Sequence, residues 1–220
     1  MSFDNIPLLL ATAIPLLMSL SVHEFSHART ALAFGDPTAK LMGRCTLNPL
    51  VHLHPIGTLC LLFVGFGWAK PVPVNYANLY PPRKAKIMVS IAGPGSNIAL
   101  AIAIGLVLRI AYYIPDVASF LGTPSGVFIV NALFYTMLIN VILCVFNILP
   151  LFPLDGHHIM RELLPAEMRM PFMQFQVRYG QIMVLAVIFL PRILNRQGLL
   201  GYVVAGTIGV IRSIFPEMQS

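Results

Sequence analysis

The sequence predicts an all-α polytopic membrane protein of about five to six transmembrane helices, with a re-entrant or extended, β-like element between the first and second full spans. Three observations lead there. Of 220 residues, 57% are hydrophobic and 10% charged, against roughly 25% charged in ordinary soluble domains. Two stretches, Ile87 to Leu108 and Val127 to Leu149, are apolar and long enough to cross a bilayer. Between Gly35 and Pro82 the composition changes to prolines and basic residues around one short apolar run, Ile56 to Phe66.

Taken in chain order, the first span is Ile6 to Phe34, which qualifies once Glu24 and its polar neighbours are accommodated. The preceding MSFDN carries Asp4 and no Lys or Arg, so it lacks the basic region that opens a secretory signal peptide. The run Ile56 to Phe66 is too short to span and has basic flanks, so it is expected to dip into the membrane and return. Non-helical backbone at that depth must be covered by protein or water, which implies a cavity. Prolines keep WAKPVPVN, Trp68 to Asn75, extended, with Trp68 as an interface anchor. On Ile87 to Leu108, Gly93, Gly95, Ser96 and Asn97 make a small-residue face for close helix packing, with Asn97 read as structural or as support behind a ligand. Phe172 to Leu190 and Gly198 to Ile214 are weaker spans, interrupted or flanked by Arg178, Arg192, Arg196 and Arg212. They read as tilted helices or an interfacial hairpin.

The net charge of +6 is informative through its distribution. If Ile6 to Phe34 runs inward, Lys40, Arg44, Lys70, Arg83, Lys84, Lys86, Arg161, Arg169 and Arg178 share one face, and Arg109, Arg192 and Arg196 lie opposite. Positive residues collect on the cytoplasmic side, so the N-terminus is expected outside and the loops after the first span inside, in a cell membrane. The basic charge therefore does not call for nucleic acid. Cys45, Cys60 and Cys144 have no CxxC spacing and read as free thiols.

The six histidines form three close pairs: His23 with His27, His52 with His54, and His157 with His158. The first pair belongs to HEFSH, an HExxH pattern that this composition would produce by chance only about 0.003 times. Four residues along a helix advance about 6 Å and turn about 400°, so His23 and His27 face one way, one turn apart. Two imidazoles so placed can grip one metal ion. Glu24, rotated about 100° from His23, can reach a metal-bound water without being a ligand. The alternative is a pair of hydrogen-bonding histidines beside a protonated Glu24, which leaves the intact pattern without a reason.

Catalytic zinc takes three protein ligands and keeps one open position. Of the eight acidic residues, Asp155 ends the uncharged run Val117 to Leu154 within NILPLFPLDGHH, where Pro150 and Pro153 break the helix and Gly156 permits a tight turn. Asp155 is the expected third ligand, with His157 or His158 as alternatives. Asn147 is a candidate amide donor to a developing oxyanion, or equally an interhelical hydrogen-bonding residue. His52 and His54 would share one face of a strand, suited to substrate or structural hydrogen bonding or to a second metal. Extended segments around Thr46 to His54 and Lys70 to Val74 offer a strand edge to an unwound peptide.

HEFSH (His23 to His27), AGPGSN (Ala92 to Asn97) and NILPLFPLDG (Asn147 to Gly156) resemble the three signatures of the site-2 protease family of intramembrane zinc metalloproteases. NPLVHLHPIGT and GWAKPVPVN resemble its compact prokaryotic branch, without the PDZ or CBS domains of other branches. The resemblance implies cleavage of a substrate's transmembrane segment, one zinc ion on His23, His27 and Asp155, Glu24 as base and Asn147 as a stabilising residue. It implies one domain over 1–220, with a catalytic core of about 6–158 and C-terminal helices over about 170–215. A membrane zinc transporter or sensor is the alternative from another class, but Glu24 has work to do only in hydrolysis.

Overall fold

A computed structural model describes residues 6–64 and 67–215. The MSFDN terminus and the end of the Ile56 to Phe66 run lie outside the described residues. The described residues are helical: α1 Ile6–Ala33, α2 Thr38–Leu41, α3 Pro55–Val64, α4 Pro82–Tyr113, α5 Pro115–Leu121, α6 Pro124–Ile148, α7 Asp155–Leu163, α8 Ala166–Ile193 and α9 Leu199–Ile214. A 3-10 turn, Pro49–His52, precedes α3. Proline is the first residue of α3, α4, α5 and α6, where its missing N–H would have no partner in any case and its fixed φ suits the first turn.

Among the described residues three helices are long and apolar enough to cross a membrane: α4, α6 and Ala166–Pro191 of α8. The expected spans from Ile87 and Val127 thus become α4 and α6, and the weaker segment from Phe172 is a third. At 10 residues, α3 is about 15 Å long, too short to cross. The expected β-like element shrinks to one antiparallel bridge, Leu53 with Ala69. Lys70 N–H still donates to His52 O at 2.8 Å, but Pro71 and Pro73 have no N–H with which to extend a ladder.

The chain divides into two compact units, Met1–Ser96 and Asn97–Ser220, with the boundary inside α4. In the first, an extended strap from Lys70 to Asn75, followed by a turn over Tyr76 to Asn78, lies along α1. Val72 packs on Ala28 and Ala39, and Val74 on Ala31, Ala85 and Val89. Residues two apart on an extended chain share a face, which is why both valines turn inward. Glu24, Ala28 and Ala31 follow the i, i+4, i+7 spacing of one helix face, and small alanines let the strap come close. Ser21 and Ser26 return their hydroxyls to Leu17 O and Val22 O, both at 2.7 Å, which satisfies them within α1.

The core of the second unit is Leu108, Leu121, Val130, Met137, Ile211 and Phe215, drawn from α4, α5, α6 and α9 and the residue after α9. Asn97 and Asn140 are fully buried and satisfy each other: Asn97 Nδ2 donates to Asn140 Oδ1 at 2.7 Å, and Asn140 Nδ2 to Thr136 O at 2.8 Å. Asn97 is therefore bound into the packing of this unit.

Candidate metal centre

His23 and His27 are both buried on α1, with their rings at right angles and centroids 4.7 Å apart. His27 Nδ1 lies 2.7 Å from the Val89 carbonyl oxygen. A carbonyl can only accept, so Nδ1 carries the proton and Nε2 keeps its lone pair for a metal. His23 Nε2 stands 3.1 Å from that atom. Two nitrogens bound tetrahedrally to zinc at 2.0–2.1 Å are about 3.3 Å apart, so the pair fits zinc.

Close approach of α4 closes one side of the pair. A Cβ added at Gly93 would stand 2.3 Å from His27 Nε2 and 2.7 Å from His23 Nε2. Only glycine leaves room for two imidazoles here.

Glu24 is buried and turned toward the strap, where its Oε2 accepts the Val72 N–H at 2.8 Å. Its Oε1 makes no hydrogen bond among the described residues. The strap is tied at both ends. Arg44 Nη2 donates to Lys70 O at 2.7 Å and Pro71 O at 3.4 Å. Asp36, fully buried, accepts Asn75 N–H on Oδ2 at 2.7 Å and Asn78 Nδ2 on Oδ1 at 3.0 Å, together with the Thr38 N–H and hydroxyl on Oδ1. Burial alone would push the Asp36 carboxyl up, but the bonds from the Thr38 hydroxyl, Asn78, Asn75 and the Thr38 N–H outweigh it and hold the group below the usual carboxylate range.

His52, His54 and Lys70 also lie in the first unit. His52 is buried and its Nε2–H donates to Thr46 O at 2.9 Å. His54 Nδ1 accepts the Gly57 N–H at 3.2 Å, capping α3. Both histidines hold the segment before α3 in shape, and among the described residues neither joins a cluster of three metal-ligating side chains.

In the second unit Asp155 opens α7, where the helix dipole favours a carboxylate. A Cβ at Gly156 would meet Ile148 O at 2.0 Å, so glycine is required for the turn that delivers Asp155. Buried Gln176 on α8 braces the same turn, accepting Phe152 N–H at 2.8 Å and donating to Pro150 O at 2.7 Å. His157 Nδ1 donates to Leu154 O at 2.9 Å. Burial, the largest influence, lowers the pKa of His157. Asn147 Nδ2 donates to Leu143 O at 2.9 Å in its own helix.

Sequence reasoning brought out the HExxH residues and the PLDG turn and missed Val72, Asp36, Arg44 and Gln176. Asp36 carried a faint signal, since an aspartate two residues before a threonine commonly caps a turn. Gln176, a polar residue in an apolar span, carried another.

An HExxH helix in a chain with membrane-length apolar helices belongs to the class of membrane metallopeptidases. Comparison with known families narrows the class: residues 11–191 match Peptidase family M50, and the chain belongs to that family, the site-2 proteases. It is 44% identical over 181 residues to YwhC of Bacillus subtilis, covering 81% of this chain and 80% of that protein. It is 37% identical over 145 residues to Rip2 of Mycolicibacterium smegmatis, covering 64% of this chain and 52% of the relative. Identity to Rip2 of Mycobacterium tuberculosis is 30% over 186 residues, covering 81% of this chain and 66% of the relative. All three names place their proteins provisionally among zinc metalloproteases. The chain thus spans about half the length of one of these relatives and two thirds of another. No solved structure matches it. The chain is a membrane zinc metalloprotease of the site-2 type.

Proposed function

We propose that the protein hydrolyses a peptide bond within or near a transmembrane segment of a membrane-protein substrate, with His23, His27 and Asp155 as the ligands of one zinc ion and Glu24 as the general base. The observation that carries this reading is the division of labour on α1. Two imidazole nitrogens converge, while the carboxylate between them in sequence is held by a backbone N–H with one oxygen left over. A transporter or purely structural site has no use for that second arrangement. The PLDG turn, fixed by Gly156 and Gln176, supports Asp155 as the third ligand.

Zinc, when bound, supplies a Lewis acid that brings the pKa of a water ligand to roughly 7. Glu24 Oε1 takes the proton of the attacking water and returns it to the leaving amine, while Val72 N–H keeps the carboxylate from swinging onto the histidines. Asn147, which spends one amide hydrogen on Leu143 O, has a second to offer the developing oxyanion. The substrate's scissile bond must reach the site unwound, because a helix keeps its backbone N–H and C=O groups paired.

For the ligand set, Asp155→Ala is expected to lose zinc, with His157→Ala and His158→Ala largely keeping it. Metal content of the purified variants decides, and an empty His157→Ala beside a loaded Asp155→Ala would replace the third ligand. The same reading places five to six spans across the membrane, with α3 re-entrant, the N-terminus outside and the site toward the cytoplasm. Reporter fusions at Lys40 and Arg83 should give cytoplasmic signals, and periplasmic signals at both would reverse the topology. Function itself is tested in proteoliposomes, where the protein should cleave a reporter transmembrane helix and carry no zinc flux.

A further inference from the structure

We infer that Asp36 and Arg44 are positioning residues for Glu24, acting together as a clamp on the strap that carries Val72. The inference rests on the protease reading above only for its kinetic consequence; the clamp itself is a matter of hydrogen bonds within the first unit.

The strap has the sequence Lys70-Pro71-Val72-Pro73-Val74-Asn75. Among the described residues its backbone partners are the bridge at Ala69 and the bond from Lys70 N–H to His52 O, so beyond Lys70 it must be held by side chains. Arg44 takes its leading end through the carbonyls of Lys70 and Pro71. Asp36 takes its trailing end through Asn75 N–H and the Asn78 amide. Between these ties stand the alternating prolines, and the one N–H from Pro71 to Pro73 belongs to Val72. That N–H goes to Glu24 at 2.8 Å.

Both clamping groups are expensive to bury. Asp36 is 0% exposed and Arg44 8%, and among the described residues Arg44 Nε has no hydrogen-bond partner. Neither forms an ion pair among the described residues. A buried charge left without an opposite charge is destabilising unless it organises dipoles around it, and the dipoles these two organise are those of the strap. The carboxylate collects N–H groups and the guanidinium collects carbonyls, so each fixes a different polarity of the same backbone and together they set its register on α1.

The conservative substitution is informative because of the oxygen assignment. Oδ1 of Asp36 serves Thr38 and Asn78, and Oδ2 serves Asn75 N–H. In Asp36→Asn the amide group must replace one oxygen. If it replaces Oδ2, it faces Asn75 N–H donor to donor, and the trailing end of the strap is released.

The test is amide exchange at Val72 in the purified, zinc-loaded protein labelled with 15N-valine. Asp36→Asn and Arg44→Ala should each speed Val72 exchange by at least about tenfold, as expected for weakening a hydrogen bond to a charged acceptor, and leave Val130 and Val141 of α6 unchanged. Val72 exchange at the wild-type rate in both variants overturns the clamp, and should one variant fail to fold, the other decides. The kinetic arm uses Val72→Pro, which removes the N–H at a residue already flanked by prolines and exchanges the isopropyl group on Ala28 and Ala39 for a pyrrolidine ring. On a reporter helix, Val72→Pro and Asp36→Asn should each lower kcat by about tenfold with KM and zinc content unchanged. The double variant should lose no more than either alone. Losses that multiply overturn the inference, since Asp36 would then act by a route other than Val72. A wild-type protein that cleaves no reporter removes the protease reading, and the exchange result then decides the clamp alone.

Discussion

Glu24→Gln is expected to keep its zinc and to lose at least about a hundredfold in cleavage of a model transmembrane substrate, the contribution typical of general acid-base catalysis. Glutamine has nearly the shape of glutamate and leaves His23, His27 and Asp155 untouched. Its amide oxygen can still accept the Val72 N–H that now goes to Oε2, so the strap should stay in place. What disappears is the capacity of the other oxygen to take a proton. The chemistry therefore separates from the architecture in a single substitution. A zinc-loaded Glu24→Gln protein that cleaves at the wild-type rate would falsify the protease mechanism, and zinc flux in proteoliposomes would then become the activity to pursue.

The second large effect belongs to a residue without functional atoms. Gly93→Ala should lower zinc affinity by about 10- to 100-fold, the range seen when groups that orient metal ligands are lost. The added methyl would stand 2.3 Å from His27 Nε2, the atom proposed to bind the ion. Sliding α4 away would break the 2.7 Å bond from His27 Nδ1 to Val89 O, and rotating the imidazoles would dissolve the pair. Alanine is the better helix former by about 1 kcal/mol, so α4 itself should not weaken. Zinc content read beside circular dichroism separates a lost site from a lost fold. Gly95→Ala is the control, because its new methyl would meet only Ile91 Cγ2 at 3.9 Å, and it should load zinc normally. A Gly93→Ala protein with wild-type zinc content would show that the histidines have room that the structure denies them.

Much of this centre was legible because helical spacing is a local property. His23 and His27 had to share a face once Ile6 to Phe34 was read as a helix, and α4 and α6 could be read from apolar run length. The contacts that refine the site were not legible. Val72 reaches Glu24 across 48 residues, His27 reaches Val89 across 62, and Gln176 braces the Asp155 turn from 24 residues away. No periodicity encodes such pairings. AGPGSN advertised a close approach, but only the fold shows that the approach at Gly93 is to two imidazoles. The β-like expectation drew on extended character that is real, yet extended backbone becomes a sheet only where N–H groups alternate with carbonyls along an edge, and Pro71 and Pro73 deny that. The pairing of His52 with His54 suggested a shared task, and each turned out to serve a different backbone group.

The prolines of the strap have an effect on the unfolded chain as well as the folded one. Each fixes its own φ and restricts the residue before it, so Lys70 to Val74 has little conformational freedom to surrender. A proline at a compatible position stabilises a fold by roughly 0.4–1 kcal/mol through this saving in entropy. A segment without helix or sheet can therefore be held in register by a handful of side-chain bonds. The donor that meets Glu24 is in place before any substrate arrives, and the reorganisation it would otherwise undergo during the reaction has already been completed during folding.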